Sequence, residues 1–153
     1  MLNVVCNTKA ITTYDKQNVN AIFDFLRMLE YEYPDFDTWF FNKVVPNIKL
    51  GSREIVVSEV NREIAGVLII KNADEKKICT LRVSPKYQRK GIGSHLLDVA
   101  THELATPKPL ITVSDVHFKE FAKLFDTNSF KLTEIHIDKY KKGLTEMVFN
   151  GHL

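Results

Sequence analysis

The chain has 153 residues, 44% apolar and 26% charged, a composition that fits one globular domain and excludes a disordered or low-complexity chain. Its 21 basic and 19 acidic side chains leave a formal net charge of +2, too small an imbalance to argue for a nucleic-acid surface. No apolar run is long enough to span a membrane.

The residues at 2–6 are short and apolar and read as a first strand. This start lacks the basic residues and long apolar stretch of a leader, so a reducing cytoplasm is the expected location. From Asp15 the period changes. Val19, Ile22, Phe25, Leu26 and Leu29 recur at three and four residues, which predicts an amphipathic helix capped by Asp15 and ending before Pro34. A second helix starts near Asp35 or Asp37, carries Trp39, Phe40, Val44 and Val45, and ends or kinks at Pro46. Arg53 to Val60, Glu63 to Lys71 and Lys77 to Val83 are rich in Val and Ile. Joined by turns at Asn61-Arg62 and at 72–75, they form an antiparallel meander. A third helix begins near Ile92 and buries Leu96, Leu97, Ala100 and Leu104. Leu110 to Val113 is a short interior strand, parallel to the preceding one through a right-handed crossover. A fourth helix runs from about Val116 to Phe125. Lys131 to Tyr140 and Leu144 to Asn150 close the chain as a hairpin. The expected fold is a single α+β (α/β) domain over residues 1–153, a mixed sheet of about seven strands with four helices.

Cys6 and Cys79 are too far apart to form a metal spacing or a disulfide framework, and are expected to be small buried side chains. His102, His136 and His152 form no ligand cluster, so no metal is expected.

The segment between the third strand of the meander and the third helix carries the chemistry. It reads Thr80-Leu-Arg-Val-Ser-Pro-Lys-Tyr-Gln-Arg-Lys-Gly-Ile-Gly-Ser. A helix N-terminus leaves its first N–H groups unpaired, and these groups with the helix dipole suit an anion. Glycines at 91 and 93 allow close backbone approach and positive φ, and Arg89 and Lys90 add charge. A P-loop is excluded because its Lys and Ser or Thr do not follow the last glycine. The dinucleotide fingerprint needs three glycines near the start of the fold.

Gln88-Arg-Lys-Gly91-Ile-Gly93, preceded by Leu81-Arg-Val83-Ser-Pro85, resembles the signature of the GNAT-family N-acetyltransferases. The likeness in element order extends from about residue 3 to 149. It implies acyl transfer from acetyl-CoA to an amine. Backbone N–H groups from Arg89, Lys90, Gly91, Ile92, Gly93 and Ser94, with Gln88, would hold the pyrophosphate of coenzyme A. The strand edge at Leu81, Arg82 and Val83 would bind the pantetheine arm, and the Val83 N–H would stabilise the oxyanion. It further implies that the strands at 81–83 and 110–113 splay apart, and that C-terminal strands pair in a homodimer. Two positions depart from the family pattern. The tyrosine that often serves as general acid corresponds to Phe125, and the asparagine that often opens that helix corresponds to Phe118. An acyl-CoA-binding module without turnover is therefore the alternative to an enzyme.

Candidate acid–base groups are His117 and Asp115 after the interior strand, and Glu59 on the meander. An imidazole titrates near neutrality and can accept the amine proton, whereas Asp115 also suits a helix cap. For the acceptor, Glu30-Tyr31-Glu32-Tyr33-Pro-Asp35-Phe-Asp37 packs four carboxylates and three aromatics into eight residues. In the resembling family this connection walls the acceptor site, which points to a cationic amine.

Overall fold

The computed structural model describes residues 6–10 and 15–153. Seven strands form one mixed sheet in the order β1-β2-β3-β4-β5-β7-β6. They are β1 (Cys6–Ala10), β2 (Arg53–Val60), β3 (Glu63–Asn72), β4 (Lys76–Val83), β5 (Leu110–Ser114), β6 (Leu132–Ile137) and β7 (Thr145–Phe149). Four helices cover the two faces: α1 (Lys16–Leu26), α2 (Phe36–Trp39), α3 (Ile92–Glu103) and α4 (Phe118–Thr127). The architecture is the mixed sheet with four helices that the sequence predicts. The expected first strand meets β1 only at Cys6; its other residues lie outside the described ones. Cys6 is exposed on this edge strand, contrary to its expected burial.

Alternation along the strands divides the core. Ile55, Val57, Val67 and Ile69 face α1 and α2, whereas Val56, Leu68, Ile70 and Ile78 face α3 and α4. Asp15 caps α1 by accepting from Gln17 N–H at 2.9 Å. The helix is shorter than predicted, because Arg27–Tyr31 tightens into a 3-10 turn ahead of Pro34. After α2 the chain widens into a π turn at Phe40–Val44 and then a 3-10 turn at Val45–Asn47. Pro46 has no N–H to bond back to Asn42, so the helix cannot continue.

Asn61 and Arg62 have φ of 51° and 65°, the left-handed pair of a tight hairpin turn between β2 and β3. β6 stops earlier than predicted. Asp138 adopts φ of 59°, and its carboxylate accepts from Gly143 N–H at 2.6 Å. The resulting loop releases Tyr140 from the sheet to pack edge-on against Tyr33, ring centroids 5.3 Å apart.

Gly66 on β3 sets the height of α3 above the sheet. A Cβ there would lie 2.9 Å from Leu96 Cδ1 and 3.0 Å from Ile92 Cγ2, both side chains being buried. The helix that follows the glycine-rich loop therefore rests on an uncovered backbone position. Replacing Gly66 by Val is expected to lower unfolding stability by about 1–3 kcal/mol through overpacking. The urea midpoint measures this, and an unchanged midpoint would contradict the packing account.

Candidate functional site

β4 and β5 are parallel neighbours for only two residue pairs, Lys77 with Leu110 and Ile78 with Ile111. Beyond Ile78 they part. The register of β4 against β3 also shifts here, with Ile69 opposite Thr80 and Ile70 opposite Ile78, so Cys79 is a bulge. Ser84 N–H donates to Ala65 O at 2.8 Å. By antiparallel alternation, the main-chain groups of Leu81 and Val83 then face away from β3, toward the side that β5 has left. A strand edge thus lies open inside the sheet. A cleft of about 770 Å³ occupies the gap, with Cys79–Arg82 on one side, Ile111–Ser114 on the other, and Tyr33, Trp39, Phe121 and Tyr140 around it.

The glycine-rich loop lies at the C-terminal end of β4. Pro85–Tyr87 is a 3-10 turn, and the buried Tyr87 donates its hydroxyl to Glu63 at 2.5 Å. Lys86 joins the same carboxylate at 2.9 Å. The Tyr87 hydrogen bond, then Lys86, hold the Glu63 carboxyl below its ordinary range. Gln88 Nε2 reaches Val83 O at 3.4 Å. Arg89 and Gly91 both have positive φ, 62° and 84°, and Gly91 is the left-handed N-cap of α3, with no side chain capping it. The first helical bond runs from His95 N–H to Gly91 O, leaving the N–H groups of Ile92, Gly93 and Ser94 without one. Successive N–H groups turned this way, at a helix N-terminus with Arg89 and Lys90 exposed beside it, form an anion-binding concavity. The Ile92 side chain is buried in the core, so only its backbone belongs to the loop surface. A Cβ on Gly93 would have Val83 Cγ2 at 3.6 Å as its only neighbour.

Of the acid–base candidates, His117 lines the cleft. Its Nε2 is bonded to Glu32 Oε1, and Nδ1 lies 3.5 Å from Glu120 Oε1. Glu32 is buried, and its Oε2 has no partner among the described residues. Asp115 is exposed, lies off the cleft lining, and accepts from Thr145 N–H at 3.3 Å; it ties β7 down and does not cap α4. Glu59 also lies off the lining. β3 separates its strand from β4, and its carboxylate is 3.6 Å from Lys9 Nζ.

The acidic stretch divides in a way its composition does not show. Tyr33 and Asp35 line the cleft, whereas Glu30, Tyr31 and Glu32 do not. The 3-10 turn rotates Tyr31 outward, where the Lys141 ammonium sits 3.6 Å from its ring centroid. Glu32 points inward onto His117. The expected acidic wall is therefore replaced by an aromatic one. The lining holds Lys43, Arg53, Lys71, Lys77 and Arg82 against Asp35, Glu75 and Glu120.

Phe125 is 2% exposed, ringed by Phe121, Phe130 and Phe149 at 4.7–5.4 Å between centroids. No hydroxyl on α4 faces the cleft. Behind Tyr33 lies a carboxylate the sequence reading missed. Tyr33 Oη donates to Glu146 at 2.8 and 3.0 Å. Burial, then the two carboxylates nearby, push the Tyr33 phenol far up, so it stays protonated. Burial likewise raises the Glu146 carboxyl. The available signal was an acid placed directly before the apolar run Met147-Val148-Phe149.

A family model for the acetyltransferase (GNAT) domain matches residues 29–131. The chain belongs to the GNAT acetyltransferase family. The fold agrees with that of a protein assigned to this family from Desulfovibrio desulfuricans, at 12% identity and a TM-score of 0.74 over 95% of this chain and 97% of that one. An aminoglycoside 6'-N-acetyltransferase complexed with coenzyme A is 10% identical, with a TM-score of 0.71 over 94% of both chains. A GNAT-family acetyltransferase from Elizabethkingia anophelis with acetyl-CoA bound is 17% identical, with a TM-score of 0.60 over 97% and 98%. At such identities the likeness concerns the fold. No curated protein matches this GNAT chain by sequence. Among the described residues no helix is long and apolar enough to cross a membrane, and no His, Cys, Asp or Glu group could hold a metal ion.

The raised Glu146 carboxyl gives this GNAT domain a pH signature. Ionised Glu146 weakens the fold above its raised pKa, and the penalty disappears below the ordinary value of 4.5, where the group is neutral whether folded or unfolded. Glu146→Gln keeps an acceptor for Tyr33 and removes the charge. It should raise the melting temperature at neutral pH, with the gain fading toward pH 4. Equal melting curves for both proteins at pH 7 would refute this.

Proposed function

We propose that the protein is an acetyl-CoA-dependent N-acetyltransferase that transfers the acetyl group directly to an amine in a ternary complex. The observation that carries this reading is the parting of β4 from β5 after Ile78, with the anion-binding loop at the end of the same strand. Coenzyme A needs both features: backbone donors for its pyrophosphate and a free strand edge for the amide-bearing pantetheine arm. In this reading Gln88 to Ser94 hold the pyrophosphate, and Leu81 to Val83 pair with pantetheine. The thioester lies in the cleft.

The neutral amine attacks the thioester carbonyl and its proton passes to His117 Nδ1, the ring nitrogen that Glu32 leaves free. Glu32, buried behind the ring, accepts from Nε2 and so fixes the orientation of the imidazole. Negative charge on the carbonyl oxygen is met by an outward-facing main-chain N–H of β4, at Val83 or Leu81. Collapse of the tetrahedral intermediate breaks the carbon–sulfur bond. An ordinary thiol has a pKa near 8.5, so the sulfur leaves as thiolate and takes its proton from water. Phe125 is then no defect, because this route needs no acid on α4. Asp115 and Glu59 have no part in it.

Two measurements test the reading. Gly93→Val adds bulk where only Val83 is near and where φ is not positive, so the fold should persist. Coenzyme A affinity, read by calorimetry, should fall at least about tenfold through steric loss of the loop contacts. Retained affinity would remove the loop from the cofactor site. His117→Gln keeps a donor for Glu32 but cannot carry the proton. It should lower kcat about 100-fold or more, with KM for acetyl-CoA little changed. A variant as active as the native enzyme would exclude His117 as the base.

A further inference from the structure

We infer that the acceptor carries an anionic group, a carboxylate or a phosphate, as well as its amine, and that Arg53, Lys71 and Lys77 bind it. The inference rests on the transfer reading above and names the class of its acceptor.

Arg53 on β2 is register partner to Lys71 on β3, and Lys71 is register partner to Lys77 on β4. All three line the cleft. They therefore form a row of cations across three adjacent strands on one face of the sheet. Directly opposed residues have Cβ atoms about 4.5–5.5 Å apart, and like charges placed so destabilise a sheet. Compensation is partial. Lys71 pairs with Glu75 at 3.4 Å. Arg53 lies over the Trp39 ring, 5.7 Å from its centroid, and its Nη1 is 3.1 Å from Cys79 Sγ. Lys77, and Lys43 across the cleft, have no ion-pair partner among the described residues. Rule-breaking of this kind, inside a cleft, marks a site for an anion.

That anion is not the pyrophosphate of coenzyme A. Val83 is six positions along β4 from Lys77, roughly 20 Å of strand, and the glycine-rich loop lies beyond Val83. The cofactor's phosphates and the cation row thus sit at opposite ends of the cleft. The free edge at Leu81 is about 13 Å of strand from Lys77, and the long Arg and Lys side chains shorten the gap. An acceptor with amine and anion several bonds apart spans it, its apolar middle against Trp39, Tyr33 and Tyr140.

The test compares matched amines of one length: ε-aminocaproate with its amide, and aminohexyl phosphate with aminohexanol. Thiol release from acetyl-CoA gives kcat and KM, and calorimetry with coenzyme A present gives binding without turnover. Carboxylate or phosphate should raise kcat/KM at least about tenfold over the uncharged partner, the worth of one charge-assisted contact. Whichever of the two gives the larger ratio identifies the anion. In Lys77→Gln, and separately in Lys71→Gln, KM for the anionic amine should rise and the ratio collapse toward one. Two independent variants guard against loss of fold in either. Equal turnover of charged and uncharged amines, or a preference that survives both variants, would overturn the inference while leaving the transfer reading intact. Anion binding lost in the variants, without thiol release from any amine, would sustain the cation row and overturn the transfer reading.

Discussion

Two strands that run parallel for two residue pairs and then part create everything else in this molecule. A β4–β5 ladder continued past Ile78 would close the sheet and bury the main-chain groups of Leu81 and Val83 in hydrogen bonds. Because it stops, those groups face a cleft inside the sheet. The bulge at Cys79 helps, since it bends β4 just where β5 departs. Backbone polar groups left without partners in an apolar cleft are costly, and a ligand with amides of its own relieves that cost. The glycine-rich loop then adds a second set of unpaired donors at the end of the same strand, so one strand carries both a free edge and an anion-binding loop.

Charge is distributed along the cleft with the same economy. Near the open edge, Glu32, His117 and Glu120 form a group able to take up a proton, with Arg82 beside them. At the start of β4, the Arg53–Lys71–Lys77 row gathers three cations, with Glu75 paired to Lys71 and the buried Glu146 near Lys77. Between them the walls are aromatic. On the proposed reading, such an arrangement would discriminate by the ends of a molecule: the amine where a proton can be removed, the anion where cations are already clustered. Phe125, a departure from the family pattern at first sight, is explained by its neighbours. It belongs to a packed group of phenylalanines, and α4 presents Glu120 and Phe121 to the cleft, with His117 just before its first turn.

Local patterns in the sequence were read accurately where one element decided the outcome. Strand β2 and the start of α3 fall where predicted, and Asp15 caps α1. The loop from Gln88 to Gly93 was legible because its needs are local: positive φ at Gly91, small residues under an anion, and a helix directly after. Acceptor residues were not legible in the same way. The acidic, aromatic run at 30–37 looked like a single surface, but a 3-10 turn sends Tyr31 outward and Glu32 inward, and only part of the run meets the cleft. Glu59 and Asp115 had suitable chemistry, but neither lines the cleft.

By itself, then, the sequence determined the order of the elements, the family and the glycine-rich loop, because periodicity, capping and glycine conformation act over a few residues. Tertiary structure alone decided which charges face one another. Arg53, Lys71 and Lys77 lie on three strands, Glu32 and His117 are 85 positions apart, and Tyr33 and Glu146 are 113 apart. Such pairings depend on strand register and on how the helix layer lies on the sheet, and those follow only from packing the whole core.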